Sequence, residues 1–187
     1  MRMRRICHRP LYTDREKTMK TLLNIIILPI LLMNAMIVNA QFPMWDTGDD
    51  KREWVIGNTQ KTDRGYLLEF TLNNESISNW TELVTQQYYQ VGNVDLDVFI
   101  KLNLDNIANG CETFTSEINE SSASNIIAIW SHEGCGGFPA TREIFRVVKL
   151  DDGVLIMRYA VYTKKTDLSF FQKWLTIIKE AHVKNGM

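Results

Sequence analysis

The strongest constraint on the fold is a pair of runs in the C-terminal half of the chain in which apolar and polar residues alternate. The runs are "TREIFRVVKL" and "GVLIMRYAVYT", and Asp151-Asp152-Gly153 joins them. An Asp-Gly pair between two such runs is the strongest short-range signal for a β-hairpin. The sequence therefore predicts two long antiparallel strands over 141–163, against which the rest of the chain has to pack.

Two further pairs of segments have the same strand-like composition. "EWVIGNTQ" (53–60) and "GYLLEFTL" (65–72) are rich in β-forming residues and are separated by turn-forming residues. After Cys111 the segments "CETFTSEI" and "NIIAIWSH" flank the soft turn "NESSAS". Both pairs predict hairpins.

Three segments predict helices. In 73–90, Trp80, Leu83 and Val84 lie at positions i, i+3 and i+4, on one face of a helix. The segment 95–110 begins with aspartates that can cap a helix and ends at a glycine, and 167–186 carries an apolar helical stripe. The predicted order is ββ-αα-ββββ-α. It corresponds to an α+β domain over 53–187, with an antiparallel sheet of about six strands packed by helices.

The segment 19–40 predicts a secretory signal peptide. It begins at Met19 with Lys20, continues through an apolar stretch and ends with small residues before the expected cleavage between Ala40 and Gln41. The alternative is a retained N-terminal anchor helix, but asparagines and a proline interrupt the apolar stretch. We therefore expect a periplasmic or secreted protein with no membrane span after processing.

The segments on either side of the signal peptide are polar. Residues 1–18 are basic and show no periodicity, which predicts an upstream extension or a long basic start of the signal. Residues 41–52 contain proline, glycine and a run of charges, and they predict a flexible leader. Residues 1–40 and 41–52 therefore lie outside the expected folded domain.

The charge of the processed chain argues against two classes of partner. Residues 41–187 carry 14 Lys/Arg and 20 Asp/Glu, a net charge of −6. A mildly acidic domain without a basic stripe is a poor match for nucleic acid or for an anionic membrane surface.

Two cysteines remain after removal of the signal peptide, Cys111 and Cys135. In an oxidising compartment an even pair of cysteines most often forms a disulfide. In the chain-entropy model, closing a loop of about 25 residues stabilises the fold by roughly 3 kcal/mol.

The loop "SHEGCGGFP" (131–139) allows two chemical alternatives to a disulfide. A thiol enzyme or small hydrolase would use Cys135 as nucleophile and His132 as base. A metal site would draw on His132, Glu133 and Cys135, but zinc sites usually use tighter pairs of spaced ligands. We expect no metal and no cofactor, and we retain the thiol enzyme as the alternative function.

Several motifs resemble those of a group of small exported proteobacterial proteins of unknown function. The motifs are "NWTELVTQQ", "GCGGFP" and a final helix that carries a tryptophan, and the resemblance covers most of 54–182. The order of elements also resembles the Mog1/PsbP-like fold, which includes periplasmic DcrB-like proteins. That fold hosts binding and assembly factors, so the resemblance implies binding rather than a particular chemistry, and it assigns no catalytic residue.

The expected function is that of a non-enzymatic binding domain of the bacterial envelope, with a protein or a small molecule as partner. The expected contact surface is the loop 131–139, with His132, Glu133 and an exposed Phe138 at its tip. An aromatic residue on a disulfide-pinned loop loses little entropy when it binds. A structural envelope protein without a discrete site is a further alternative.

Overall fold

The computed structural model of the chain describes residues 44–46 and 50–184. The predicted extension 1–18, the signal peptide 19–40 and the cleavage position between Ala40 and Gln41 lie outside the described residues.

The described residues form nine strands and two helices. In chain order these are β1 (Met44–Asp46), β2 (Trp54–Thr62), β3 (Gly65–Leu72), β4 (Glu82–Tyr89), α1 (Leu96–Ala108), β5 (Thr115–Ser121), β6 (Asn125–His132), β7 (Thr141–Lys149), β8 (Val154–Tyr162), α2 (Leu168–Glu180) and β9 (His182–Lys184).

Seven of these strands form an antiparallel sheet in the order β2-β3-β4-β8-β7-β6-β5. The C-terminal hairpin β7–β8 is confirmed, and its register pairs Lys149 with Val154 and Glu143 with Ala160. The two other predicted hairpins are also confirmed, as β2–β3 and β5–β6. Strands β1 and β9 pair separately as a short antiparallel ribbon.

The predicted α+β class, with about six strands in the order ββ-αα-ββββ-α, is wrong. The described part of the chain is mostly β, because the segment predicted as the first helix (73–90) contains strand β4 instead. Strand β4 lies between β3 and β8, and its buried face carries the polar Gln86 between Val84 and Tyr88. On its other face Thr85 is buried and Leu83 is half-buried. A polar residue on the buried face and an apolar residue on the other face remove the clean alternation of a strand, and the apolar spacing of 80–88 therefore resembled that of a helix.

Helix α2 covers one face of the sheet. Asp167 caps it by accepting a hydrogen bond from the backbone N–H of Ser169. Its buried Phe171, Trp174 and Ile178 pack in one core cluster with side chains of β8 such as Met157. The predicted helix at 167–186 is thus confirmed, but it ends at Glu180.

Helix α1 covers part of the opposite face. Asp95 caps it by accepting from the backbone N–H groups of Asp97 and Val98, and Leu96 and Ile100 are buried in a second core cluster with strand residues such as Phe145. The helix ends at Ala108, and the chain then turns through Gly110, whose φ of 88° favours glycine. The sheet surface beyond this helix end forms the floor of a cleft.

The last residues of the predicted leader contact the folded domain. Arg52 donates hydrogen bonds to Asp50 and, over 2.7 Å, to Oε1 of Glu82 on β4. Asp50 also accepts from Nε1 of Trp174 on α2. Residues 50–52 are therefore joined both to the sheet and to the helix that covers it.

Candidate binding cleft

A cleft of about 400 Å³ lies beside the C-terminal end of α1, on the face of the sheet that this helix partly covers. Its floor follows a row of paired residues across four strands: Leu83, Ala160, Glu143 and Trp130. Side chains at directly paired positions of an antiparallel sheet share a face, so this row follows from the register. The floor of the cleft is therefore built on four adjacent strands inside the sheet.

Ala160 gives the cleft its depth. It is buried on the central strand β8, between Leu83 on one neighbouring strand and Glu143 on the other. The residues two positions away on the same strand, Arg158 and Tyr162, also line the cleft. A methyl group between larger side chains leaves a depression at the middle of the floor.

Aromatic rings form the sides of the cleft. Trp80 and Tyr162 stack with their centroids 4.0 Å apart and their planes 23° from parallel. On the other side, Trp130 stacks with Phe114 and with His132, at centroid distances of 6.0 and 5.7 Å. Stacked rings have fixed orientations and offer flat apolar faces to a ligand.

The disulfide lies at the rim of the cleft. Cys111 and Cys135 lie at bonding distance, with Cα atoms 5.0 Å apart, and they join the segment after α1 to the loop after β6. Within that loop Cys135 and Phe138 exchange backbone hydrogen bonds around Gly136 and Gly137, whose φ values are 56° and 88°. Two successive positive φ angles are typical of a type I′ turn, which favours glycine.

The floor carries a buried ion pair. Nη1 of Arg158 lies 3.5 Å from Oε1 of Glu143, and the same oxygen accepts a hydrogen bond of 3.0 Å from Nε1 of Trp130. Burial raises the pKa of Glu143, although the charge of Arg158 and the Trp130 hydrogen bond oppose this rise. A strand-borne carboxyl and a guanidinium are thus held side by side in an aromatic surrounding.

Two of the three predicted contact residues, His132 and Phe138, line the cleft. Phe138 is 67% exposed at the rim. His132 is buried, and its Nδ1 accepts a hydrogen bond from the backbone N–H of Gly134. Glu133 lies instead at a second, more polar depression, where its backbone N–H donates to Thr113 Oγ1.

The structure also gives the surroundings of the residues considered for a thiol enzyme and for a metal site. In the disulfide-bonded form Cys135 carries no thiol that His132 can activate. Burial lowers the pKa of His132, whereas the nearby Glu133 raises it. Among residues 44–46 and 50–184, no group of three His, Cys, Asp or Glu side chains is placed to hold a metal ion.

The residues predicted from the sequence did not include the floor of the cleft. Glu143 and Arg158 stand inside the two long apolar runs of the C-terminal hairpin, and an ionisable residue in a central strand is a usable signal of a buried polar site. Trp80 was assigned to a helix that the structure does not contain. Ala160 gives no signal at all, because its importance comes from its neighbours on two other strands.

Comparison of the chain with models of protein families, with curated proteins and with solved structures finds no match. The resemblance to small exported proteobacterial proteins and to the Mog1/PsbP-like fold therefore stays a prediction. Within the part of the chain that the structure describes, the helices are too short and too polar to cross a membrane.

Proposed function

We propose that this chain is an exported binding domain, and that the cleft over Ala160 is its site for a flat, largely apolar ligand. The observation that carries the proposal is the arrangement of the cleft: a small floor residue between the stacked pair Trp80–Tyr162 and the ring of Trp130. Concave apolar sites with a few placed polar groups are the usual form of small-molecule sites.

The energetics of the cleft suit a ligand of modest size. Each 100 Å² of apolar ligand surface removed from water contributes about 2.5 kcal/mol. The cleft walls need little reorganisation, because the disulfide holds one side and ring stacking holds the others. A preorganised site loses less of this gain to the ordering of side chains.

The disulfide supports an extracytoplasmic location. Disulfides persist in oxidising compartments and are rare in the cytosol, and the pair Cys111–Cys135 agrees with the signal peptide predicted over 19–40. A periplasmic or secreted location is therefore part of the proposal. The thiol-enzyme alternative would require reduction of this disulfide before Cys135 could react.

The proposal is tested with 2-naphthamide, a neutral two-ring probe, and with the tryptophan fluorescence of residues 41–187. We expect quenching with a binding free energy of about 5 kcal/mol, a Kd on the order of 0.2 mM. Ala160→Leu fills the depression and should abolish quenching. Ala123→Leu adds the same atoms to an exposed turn and serves as the matched control.

A second variant tests the cleft independently, in case Ala160→Leu does not fold. Trp80→Ala removes a half-exposed wall residue outside the sheet and should weaken 2-naphthamide binding by about tenfold. Binding that is unchanged in folded Ala160→Leu and Trp80→Ala variants would show that the cleft is not the ligand site.

A further inference from the structure

Arg158 lies in the cleft with much of its hydrogen-bonding capacity unused. A guanidinium carries five N–H donors. Within the described structure its Nη2 donates a hydrogen bond to Oδ1 of Asn103 on α1, over a long 3.3 Å. The described residues offer no partner to its buried Nε. Since buried donors are normally satisfied, this guanidinium stands out in the fold.

Glu143 does not give the guanidinium of Arg158 a good hydrogen-bond acceptor. The distance of 3.5 Å from Nη1 to Oε1 of Glu143 is within ion-pair range but too long for a good hydrogen bond. The same oxygen already accepts the hydrogen bond from Trp130. Glu143 therefore offsets part of the charge of Arg158, while Nη1 and Nη2, which carry two N–H groups each, keep donors for another acceptor.

The position of Arg158 directs it toward a bound ligand. Its Cζ lies 4.1 Å from the centroid of Phe145, so the guanidinium is supported by a ring beneath the cleft, and 21% of the side chain is exposed. Arg158 and Ala160 are two positions apart on β8, and two strand residues span roughly 7 Å. A flat molecule over Ala160 therefore brings its edge next to the guanidinium.

We propose that the ligand of the cleft is a flat apolar molecule with one carboxylate, and that Arg158 binds this carboxylate. The inference rests on the proposed function of the cleft and adds the class of ligand. A carboxylate matches the planar fork of arginine and can accept two parallel hydrogen bonds from it. The aromatic walls take the apolar body, and Arg158 determines which end of the ligand lies beside α1.

The test compares three probes that share one two-ring body: 2-naphthoate, neutral 2-naphthamide and cationic 2-naphthylmethylammonium. Binding to residues 41–187 is measured by isothermal titration calorimetry and by tryptophan quenching. We expect 2-naphthoate to bind about tenfold more tightly than 2-naphthamide. The variant Arg158→Met should abolish this preference, so that 2-naphthoate binds no more tightly than 2-naphthamide.

Two further variants complete the design. Arg142→Met removes an arginine from β7 on the opposite face, where it lies over Phe171 of α2, and should keep the preference for the carboxylate. Arg158→Met leaves Glu143 without its cation. The double variant Glu143→Gln/Arg158→Met therefore tests the loss of the carboxylate preference with no buried unpaired charge.

The outcomes separate this inference from the proposed function. Equal binding of 2-naphthoate and 2-naphthamide, or a preference that survives both Arg158 variants, would overturn the assignment of Arg158 and leave the cleft as a site. Tighter binding of the ammonium probe would overturn that assignment and indicate that Glu143 binds the charged end of the ligand. Failure of all three probes to bind would overturn the proposed function, and the carboxylate inference with it.

Discussion

Nε1 of Trp174 donates a hydrogen bond of 2.9 Å to Oδ2 of Asp50, which links two residues 124 positions apart. Asp50 also accepts hydrogen bonds from Arg52, and its side chain is only 3% exposed. Arg52 continues the network to Glu82, which accepts in turn from the hydroxyl of Tyr159. The network joins the segment before β2 to the central strands and to α2.

We predict that this network stabilises the fold near neutral pH and that its contribution to the free energy of unfolding is lost in acid. Burial alone would raise the pKa of Asp50, but the hydrogen bonds and charge of Arg52 lower it from 3.8 to about 2. A lowered folded-state pKa contributes stability above pH 3.8 that is lost as the pH falls toward 2. The contribution near neutral pH is up to about 2 kcal/mol.

Urea unfolding between pH 2 and pH 7 measures this contribution. Asp50→Asn should lower the free energy of unfolding at pH 7 and flatten its decline in acid. Asp63→Asn, in the exposed turn between β2 and β3, is the matched control and should retain the wild-type profile. An unchanged profile for Asp50→Asn would contradict the assignment.

The disulfide should contribute both to stability and to binding. Cys111→Ser/Cys135→Ser removes a cross-link over 24 residues and should lower the free energy of unfolding by about 3 kcal/mol. It should also weaken 2-naphthamide binding, because the rim of the cleft loses its anchor. The measurements are urea unfolding and quenching titrations, and retention of full stability would argue against a structural disulfide.

The intact mass of residues 41–187 checks the bond directly. With alkylation before and after reduction, we expect two modified thiols only after reduction. Alkylation of Cys135 without reductant would reopen the thiol-enzyme alternative.

Phe138 should matter for binding and little for folding. It is exposed at the tip of the loop and lines the cleft, so Phe138→Ala removes a ligand contact without opening a cavity in the core. We expect weaker binding of 2-naphthamide by about threefold to tenfold and a change in unfolding free energy below about 0.5 kcal/mol. Ile118→Ala, an exposed apolar residue on β5, is the control that should bind as wild type.

Gly153 should tolerate no side chain. A Cβ at this position would lie 2.1 Å from the backbone oxygen of Tyr89, which cannot move without shifting the strand. Gly153→Ala should therefore destabilise the fold by more than about 2 kcal/mol. Gly57→Ala, whose Cβ would meet only side-chain atoms of Ile77 and Thr71 and no backbone, should destabilise the fold much less in thermal unfolding. Equal melting temperatures for the two variants would contradict this account.

The hairpin signal at Asp152-Gly153 was correct for a reason that the sequence does not show. A glycine after aspartate usually indicates a turn that needs positive φ. Gly153 is not among the glycines with positive φ, and its lack of a side chain is needed instead for the close approach of Tyr89. The local pattern predicted the turn, and packing against another strand explains the residue.

The sequence by itself determined the features that depend on neighbours along the chain. These are the three hairpins, the aspartate cap at the start of the segment 95–110, and the pairing of the two cysteines left after the predicted signal peptide. Local periodicity and turn chemistry carry this information, because they act over a few residues.

Only the tertiary structure decided the nature of β4 and the location of the cleft. A polar Gln86 on the buried face of β4 and an apolar Leu83 on the other face removed the alternation that marks a strand, so its sequence resembled a helix. The cleft joins Trp80, Trp130, Arg158 and Ala160 from separate segments, and these residues meet because the antiparallel register aligns them. Contacts between distant segments depend on the strand order of the whole sheet, which no short stretch of sequence specifies.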